Sequence, residues 1–147
     1  MPIPFLTRLE RACEARQSLV CVGLDPDPRE MPVNAPLEFN KAIVDSTADL
    51  VCAYKPNIAF YEALGLPGLR ALGETVEYIR KTAPKVIIIG DTKRGDVGHS
   101  AEAYARAMFV AWQFDAVTIN AWGGLDSVAP FLDYAGHGVF IWCRGSN

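Results

Sequence analysis

Four β-branched residues stand in an unbroken row from Val86 to Ile89. Such a run leaves no polar face for solvent, so it fits a strand covered on both sides, as in a parallel sheet flanked by helices. Gly90 and Gly95 then bracket the polar segment Asp-Thr-Lys-Arg, with Asp96 directly after it. The carboxyl end of a parallel strand is where α/β sheets place their ligands. In an extended segment Asp91 and Lys93 leave on the same face, close enough for an ion pair. Asp96 follows the turn at Gly95 and can either close back on Lys93 or reach across to a partner subunit. An ammonium flanked by carboxylates stays protonated and fixed, which suits charge stabilisation and proton donation. Taken alone, Asp-x-Lys-x-x-Asp fits a solvated loop equally well, so the surrounding chain decides.

That surrounding chain alternates strands with amphipathic helices. Ser18 to Leu24 reads as a first strand running into Asp25 and a proline-rich loop, and Leu37 to Asp49 as a helix. Leu50 to Lys55 is a second strand, ending at Lys55 just before Pro56. Pro67 sits well in the first turn of the next helix, whose apolar stripe is Leu69, Leu72, Val76 and Ile79, and Pro84 stops it. Beyond the central strand, Ser100 to Gln113 has helical spacing, Asp115 to Asn120 is a fourth strand, Leu125 to Tyr134 a helix and Gly138 to Cys143 a fifth strand. A leading helix at Pro4 to Glu14 carries Phe5, Leu6, Leu9 and Cys13 as a cover for one end of the sheet. Successive βα units predict a parallel sheet, and periodicity leaves open whether it is flat or closed. Asp25 and Lys55 end two different strands at the same face as Asp91, so the three charges converge.

Composition narrows the functional classes. The chain has 147 residues, one domain's worth, with 50% hydrophobic and 21% charged residues, ordinary for a globular α/β protein. A net charge of −3 without any basic run argues against a nucleic-acid or acidic-membrane partner, while local lysines still permit a phosphorylated substrate. No secretion signal or apolar run approaching 18 residues is seen, which points to a cytoplasmic location. Cys13, Cys21, Cys52 and Cys143 lack metal-ligand or redox spacing and read as buried free thiols. His99 and His137 read as surface or capping residues, and Trp112, Trp122 and Trp142 as packing groups. No dinucleotide fingerprint or internal repeat is present.

Four segments in order carry a resemblance: GLDPDP at Gly23 to Pro28, YKPN at Tyr54 to Asn57, GDTKRGDVGHSAEAYA at Gly90 to Ala105, and DAVTIN followed by GLDSVAPFL. Together they resemble the orotidine 5'-phosphate decarboxylase family, in its bacterial branch with the DTKRGD motif, over nearly the whole chain. The resemblance implies a TIM (β/α)8 barrel, here a single partial domain over 1–147 with about five parallel strands, working as a homodimer with no cofactor and no metal. It implies that orotidine monophosphate loses its C6 carboxylate as carbon dioxide and gains a proton to give uridine monophosphate. In that frame Lys93 stabilises charge at C6 and donates the proton, and Asp91 sits beside the departing carboxylate and holds Lys93. Asp96 belongs to the same network but acts in the neighbouring subunit's site. Lys55 pairs with Asp91 and touches the ribose, Asp25 accepts from a ribose hydroxyl, Ser100 makes a hydroxyl contact across the dimer, and Ser146 contacts the base.

One departure is large. A complete eight-stranded barrel needs roughly 250 residues, and the family's lid and phosphate-holding loops would follow the fifth strand counted here. The reading is therefore of a fragment with its charged core intact and its phosphate grip absent. NAWGG at Asn120 to Gly124 also departs from the expected proline-containing turn. Two alternatives stand beside the decarboxylase. One is a magnesium-dependent sugar-phosphate enzyme of the hexulose phosphate synthase kind, for which a Glu at the end of the second strand is expected where this chain has Lys55. The other is a non-catalytic truncated fragment.

Overall fold

The computed structural model describes residues 2–31 and 35–145. Five strands form one parallel sheet in chain order: β1 (Cys21–Leu24), β2 (Ala53–Pro56), β3 (Ile87–Arg94), β4 (Ala116–Ile119) and β5 (Gly138–Ile141). The helices α1 (Phe5–Arg16), α2 (Pro36–Thr47), α3 (Ile58–Ala63), α4 (Gly65–Thr82), α5 (Gly98–Arg106) and α6 (Leu125–Leu132) lead, separate and cover these strands. Every strand pair is a nearest neighbour in sequence, so among the described residues β1 and β5 are the sheet's unpaired edges.

Strand alternation sorts the side chains into two sets. Leu24, Tyr54, Ile88, Val117 and Ile119 point to the helix side, where they join Val44, Leu72, Val76, Ile79, Met108, Phe109, Phe114 and Phe131 in the main core. Ala53, Ile87, Ile89 and Ala116 face the other way and meet Ala12, Phe5, Leu9 and Cys13 from α1 in a smaller cluster. The β-branched run is thus buried on both faces, as its sequence requires. α1 covers the amino-terminal end of the sheet, with Arg8 paired to Asp115 and donating to the Gly136 carbonyl at 3.2 Å. Arg80 at the end of α4 reaches the same Asp115 at 2.8 Å, and the Ile88 amide donates to it at 2.8 Å. One buried carboxylate therefore ties α1, α4 and β3 together beneath the sheet. Gly138 is required by this packing, because a Cβ there would stand 2.4 Å from the Phe5 ring.

A buried polar chain fixes the opposite end of β1. The fully buried Tyr61 hydroxyl donates to the Leu24 carbonyl at 2.9 Å and accepts from Asn40 Nδ2 at 2.9 Å, while Asn40 also donates to Thr75 at 2.9 Å. These bonds join α2, α3 and α4 to the last residue of β1, directly before Asp25. Burial pushes the Tyr61 hydroxyl's pKa well above its ordinary value, so it remains a donor.

Several boundaries differ from the sequence expectation. β2 begins at Ala53 rather than Leu50, and Leu50 is exposed. A short helix, α3, follows β2 immediately, capped by Asn57 accepting from the Ala59 amide at 3.2 Å. The helix expected over Ser100 to Gln113 starts at Gly98 and ends in a π turn over Ala107–Ala111, where the Trp112 amide bonds to the Ala107 carbonyl at 2.9 Å. β3 does not end at Ile89 but continues through the polar segment to Arg94. Of the four cysteines only Cys52 is buried; Cys13 is half-buried, while Cys21 and Cys143 are exposed because they lie at or beyond the two edge strands. Trp122, 94% exposed, and Trp142, 48% exposed, are not packing groups. Among the described residues no helix is long and apolar enough to cross a membrane.

Candidate active site

The polar segment is presented by a distortion of β3. Gly90 faces Val117 and Arg94 faces Ile119, so three residues of β3 lie where β4 supplies one. Asp91, Thr92 and Lys93 form the bulge, and Lys93 adopts a left-handed backbone with φ of 46°. Bulges of this kind re-aim side chains beside active sites. Neither flanking glycine has a positive φ; each is needed for close approach. A Cβ on Gly90 would stand 2.4 Å from the buried Phe114 ring, and one on Gly95 would stand 2.2 Å from the Asn120 carbonyl oxygen.

Asp91 is the centre of the site. Lys93 Nζ donates to its Oδ1 at 2.6 Å and Lys55 Nζ to its Oδ2 at 2.8 Å. The Thr118 hydroxyl donates to Oδ1 at 2.8 Å. Burial pushes the Asp91 pKa up, but the bonds from Lys55, Lys93 and Thr118 outweigh it and hold the carboxyl at about 2. The carboxylate is 10% exposed while the Lys93 side chain is 41% exposed, so the anion is buried and one cation faces the open side.

Asp25 lies at the end of β1, near enough to feel Lys55, Asp91 and Lys93. Burial raises its pKa, and the Lys55 charge together with the Asn57 amide opposes that rise. Its Oδ1 is buried without a hydrogen-bond partner among the described residues, leaving an acceptor directed at no protein donor. Lys55, Asp91, Lys93 and Asp25 are thus brought together at the carboxyl ends of three strands. Asp96 and Ser100 are not part of that contact. Both are exposed, and Asp96 does not close back on Lys93 but accepts from the Val97 amide at 2.8 Å. Ser146 lies outside the described residues.

Two residues of the site were not singled out by sequence reasoning. Thr118 sits in the motif DAVTIN, and its place on the fourth strand was legible, but its bonds depend on the bulge opposite. Arg94 pairs with Glu62 of α3 and lies 5.4 Å from the centre of the Tyr104 ring of α5, clamping the end of β3 to two helices.

Residues 18–146 match the family described as orotidine 5'-phosphate decarboxylase / HUMPS. The chain belongs to that family. Among curated relatives, the orotidine 5'-phosphate decarboxylase of Dehalococcoides mccartyi is 49% identical over 144 residues, covering 97% of this chain and 52% of the relative. That of Roseiflexus castenholzii is 47% identical over 149 residues, covering 97% of this chain and 53% of its own length. The chain spans about half the length of the curated relatives it matches. A solved Toxoplasma gondii structure assigned as an orotidine-monophosphate decarboxylase superposes with a TM-score of 0.91 at 42% identity, covering 98% of this chain and 50% of that one. The Leishmania donovani UMP synthase superposes with a TM-score of 0.88 at 34% identity, covering 99% of this chain and 31% of that one. The strand order and helix placement of the decarboxylase family are therefore present here as a five-stranded part of its barrel.

Proposed function

We propose that this chain carries the charged centre of an orotidine 5'-phosphate decarboxylase, a carboxy-lyase converting orotidine monophosphate to uridine monophosphate and carbon dioxide. The observation that supports it most is the Asp91 carboxylate held between the Lys55 and Lys93 ammoniums at the carboxyl end of a parallel sheet. When the bond from C6 to the carboxylate breaks, its electron pair stays on C6. Lys93, already fixed by Asp91, places positive charge beside that carbon and transfers a proton to it, then regains one from water. Asp91 opposes the substrate carboxylate, and the repulsion is relieved as neutral carbon dioxide leaves. Preorganised charges of this kind are worth about 3 to 4 kcal/mol each in comparable sites. Little reorganisation is needed because the lysines are paired before substrate arrives.

The remaining roles follow the same frame. The unpartnered Asp25 oxygen takes a hydrogen bond from a ribose hydroxyl, and Lys55 contacts the same sugar. Ser146 contacts the base. Asp96 and Ser100, exposed at the rim, act in the site of a second subunit, so the working form is a homodimer. Residues 1–147 form one partial domain, acting in the cytoplasm on a nucleotide and needing neither metal nor cofactor. Lys55 also weighs against the magnesium-dependent sugar-phosphate reading, because a divalent cation at the end of β2 would face two ammoniums.

Incubation of the 147-residue chain with orotidine monophosphate, followed by pyrimidine absorbance, tests the proposal. Conversion that disappears in Lys93→Ala is the expected result. A folded chain that shows none would place it with non-catalytic fragments, and conversion surviving the substitution would remove Lys93 from its role.

A further inference from the structure

The bulge that carries Asp91 and Lys93 leaves two backbone donors with no carbonyl opposite them, and one side chain supplies what the ladder does not. Thr118 Oγ1 accepts from the Thr92 amide at 2.9 Å and from the Lys93 amide at 3.1 Å. Its own proton goes to Asp91 Oδ1 at 2.8 Å. A threonine hydroxyl has one donor and two acceptor positions, so all three are used. The main chain of the same residue is also engaged, since the Thr118 carbonyl accepts from Thr92 Oγ1 at 2.8 Å.

We propose that Thr118 is the positioning residue of the site: its hydroxyl holds Lys93 in the left-handed backbone and orients the Asp91 carboxylate between the two lysines. The purpose of this arrangement rests on the decarboxylase reading, but its hydrogen bonds run within the chain itself. A Cβ in the left-handed region crowds the following carbonyl oxygen, so Lys93 needs an external constraint to stay there. Its amide bond to Thr118 is that constraint. The direction of the hydroxyl is determined as well. With two amides donating to the oxygen, the proton has only the carboxylate to face, and Asp91 is thereby kept anionic with its Oδ1 shared between Thr118 and Lys93. Valine has the shape of threonine and none of these bonds; serine keeps the bonds and loses a methyl group.

The test uses the whole chain without substrate, so its outcome is independent of whether the chain decarboxylates. Carboxylate NMR follows the Asp91 titration, and amide hydrogen exchange follows Thr92 and Lys93, in the parent, Thr118→Val and Thr118→Ser. The expected result for valine is an upward shift of the Asp91 midpoint and exchange at both amides faster by about tenfold, the scale of one lost hydrogen bond. Serine is expected to reproduce the parent in both readouts. A folded valine chain with parental titration and exchange overturns the proposal. So does a folded serine chain in which Asp91 and both amides depart from the parent, and this second arm decides even if the valine chain does not fold.

Discussion

At the scale of single residues, the site is organised by one carboxylate. Asp91 has its carboxyl held at about 2, against an unperturbed value of 3.8. A depressed folded pKa contributes stability that is fully present above the unfolded value and is lost as pH falls from about 4 toward 2. After allowance for solvent around Lys93, the contribution is about 1 to 2 kcal/mol at neutral pH. Asp91→Asn removes it and leaves the two ammoniums without the carboxylate that bridges them. Urea midpoints measured across pH are expected to show the variant less stable at pH 7, with the gap to the parent narrowing as pH falls below 4. Parallel curves would mean that the paired carboxylate contributes nothing to folding. Asp91, Lys93, Lys55 and Asp25 were legible in the sequence because each is a charge at or near the carboxyl end of an apolar run, and those ends share a face. Thr118 was not, because a mid-strand threonine gives no sign that the strand beside it has three residues where one belongs.

At the scale of elements, hydrophobic period located all five strands, while tertiary packing set their limits. The strand expected over Leu50 to Lys55 begins only at Ala53, where pairing with both β1 and β3 starts, even though Val51 and Cys52 are buried, and the six residues of α3 give too little period to read as a helix. The π turn at Ala107–Ala111 likewise follows from packing, which buries Met108 and Phe109 together. The extension of β3 through Asp-Thr-Lys-Arg is governed by Thr118 and by the two flanking glycines rather than by propensity. Gly90→Ala tests the strand's contact with Phe114, which is 1% exposed and has little space to retreat. Overpacking of this kind costs about 1 to 3 kcal/mol, and a melting temperature lower by roughly 3 to 10 °C is expected for a chain of this size. An unchanged melting temperature would show that the ring can move aside.

At the scale of the whole molecule, two of the exposed apolar surfaces among the described residues lead to opposite expectations for self-association. One is at the rim of the site: Trp122 is 94% exposed, Leu125 73% and Val97 55%, beside the exposed Asp96. The other is the unpaired edge at β5, where Ile141 is 51% exposed and Phe140 40%. An edge strand offers backbone donors and acceptors to any extended segment and therefore favours open-ended growth. A side-chain patch pairs with its own copy about a two-fold axis and closes at two subunits. If Asp96 serves a neighbouring site, the rim patch must be the one that sets the dimer. Trp122→Glu places charge at its most exposed member and is expected to convert dimer to monomer in sedimentation equilibrium, whereas Ile141→Lys should leave the dimer intact and suppress larger species. The reverse pattern, with Trp122→Glu still dimeric and Ile141→Lys monomeric, would assign self-association to the sheet edge and leave Asp96 facing solvent in its own subunit.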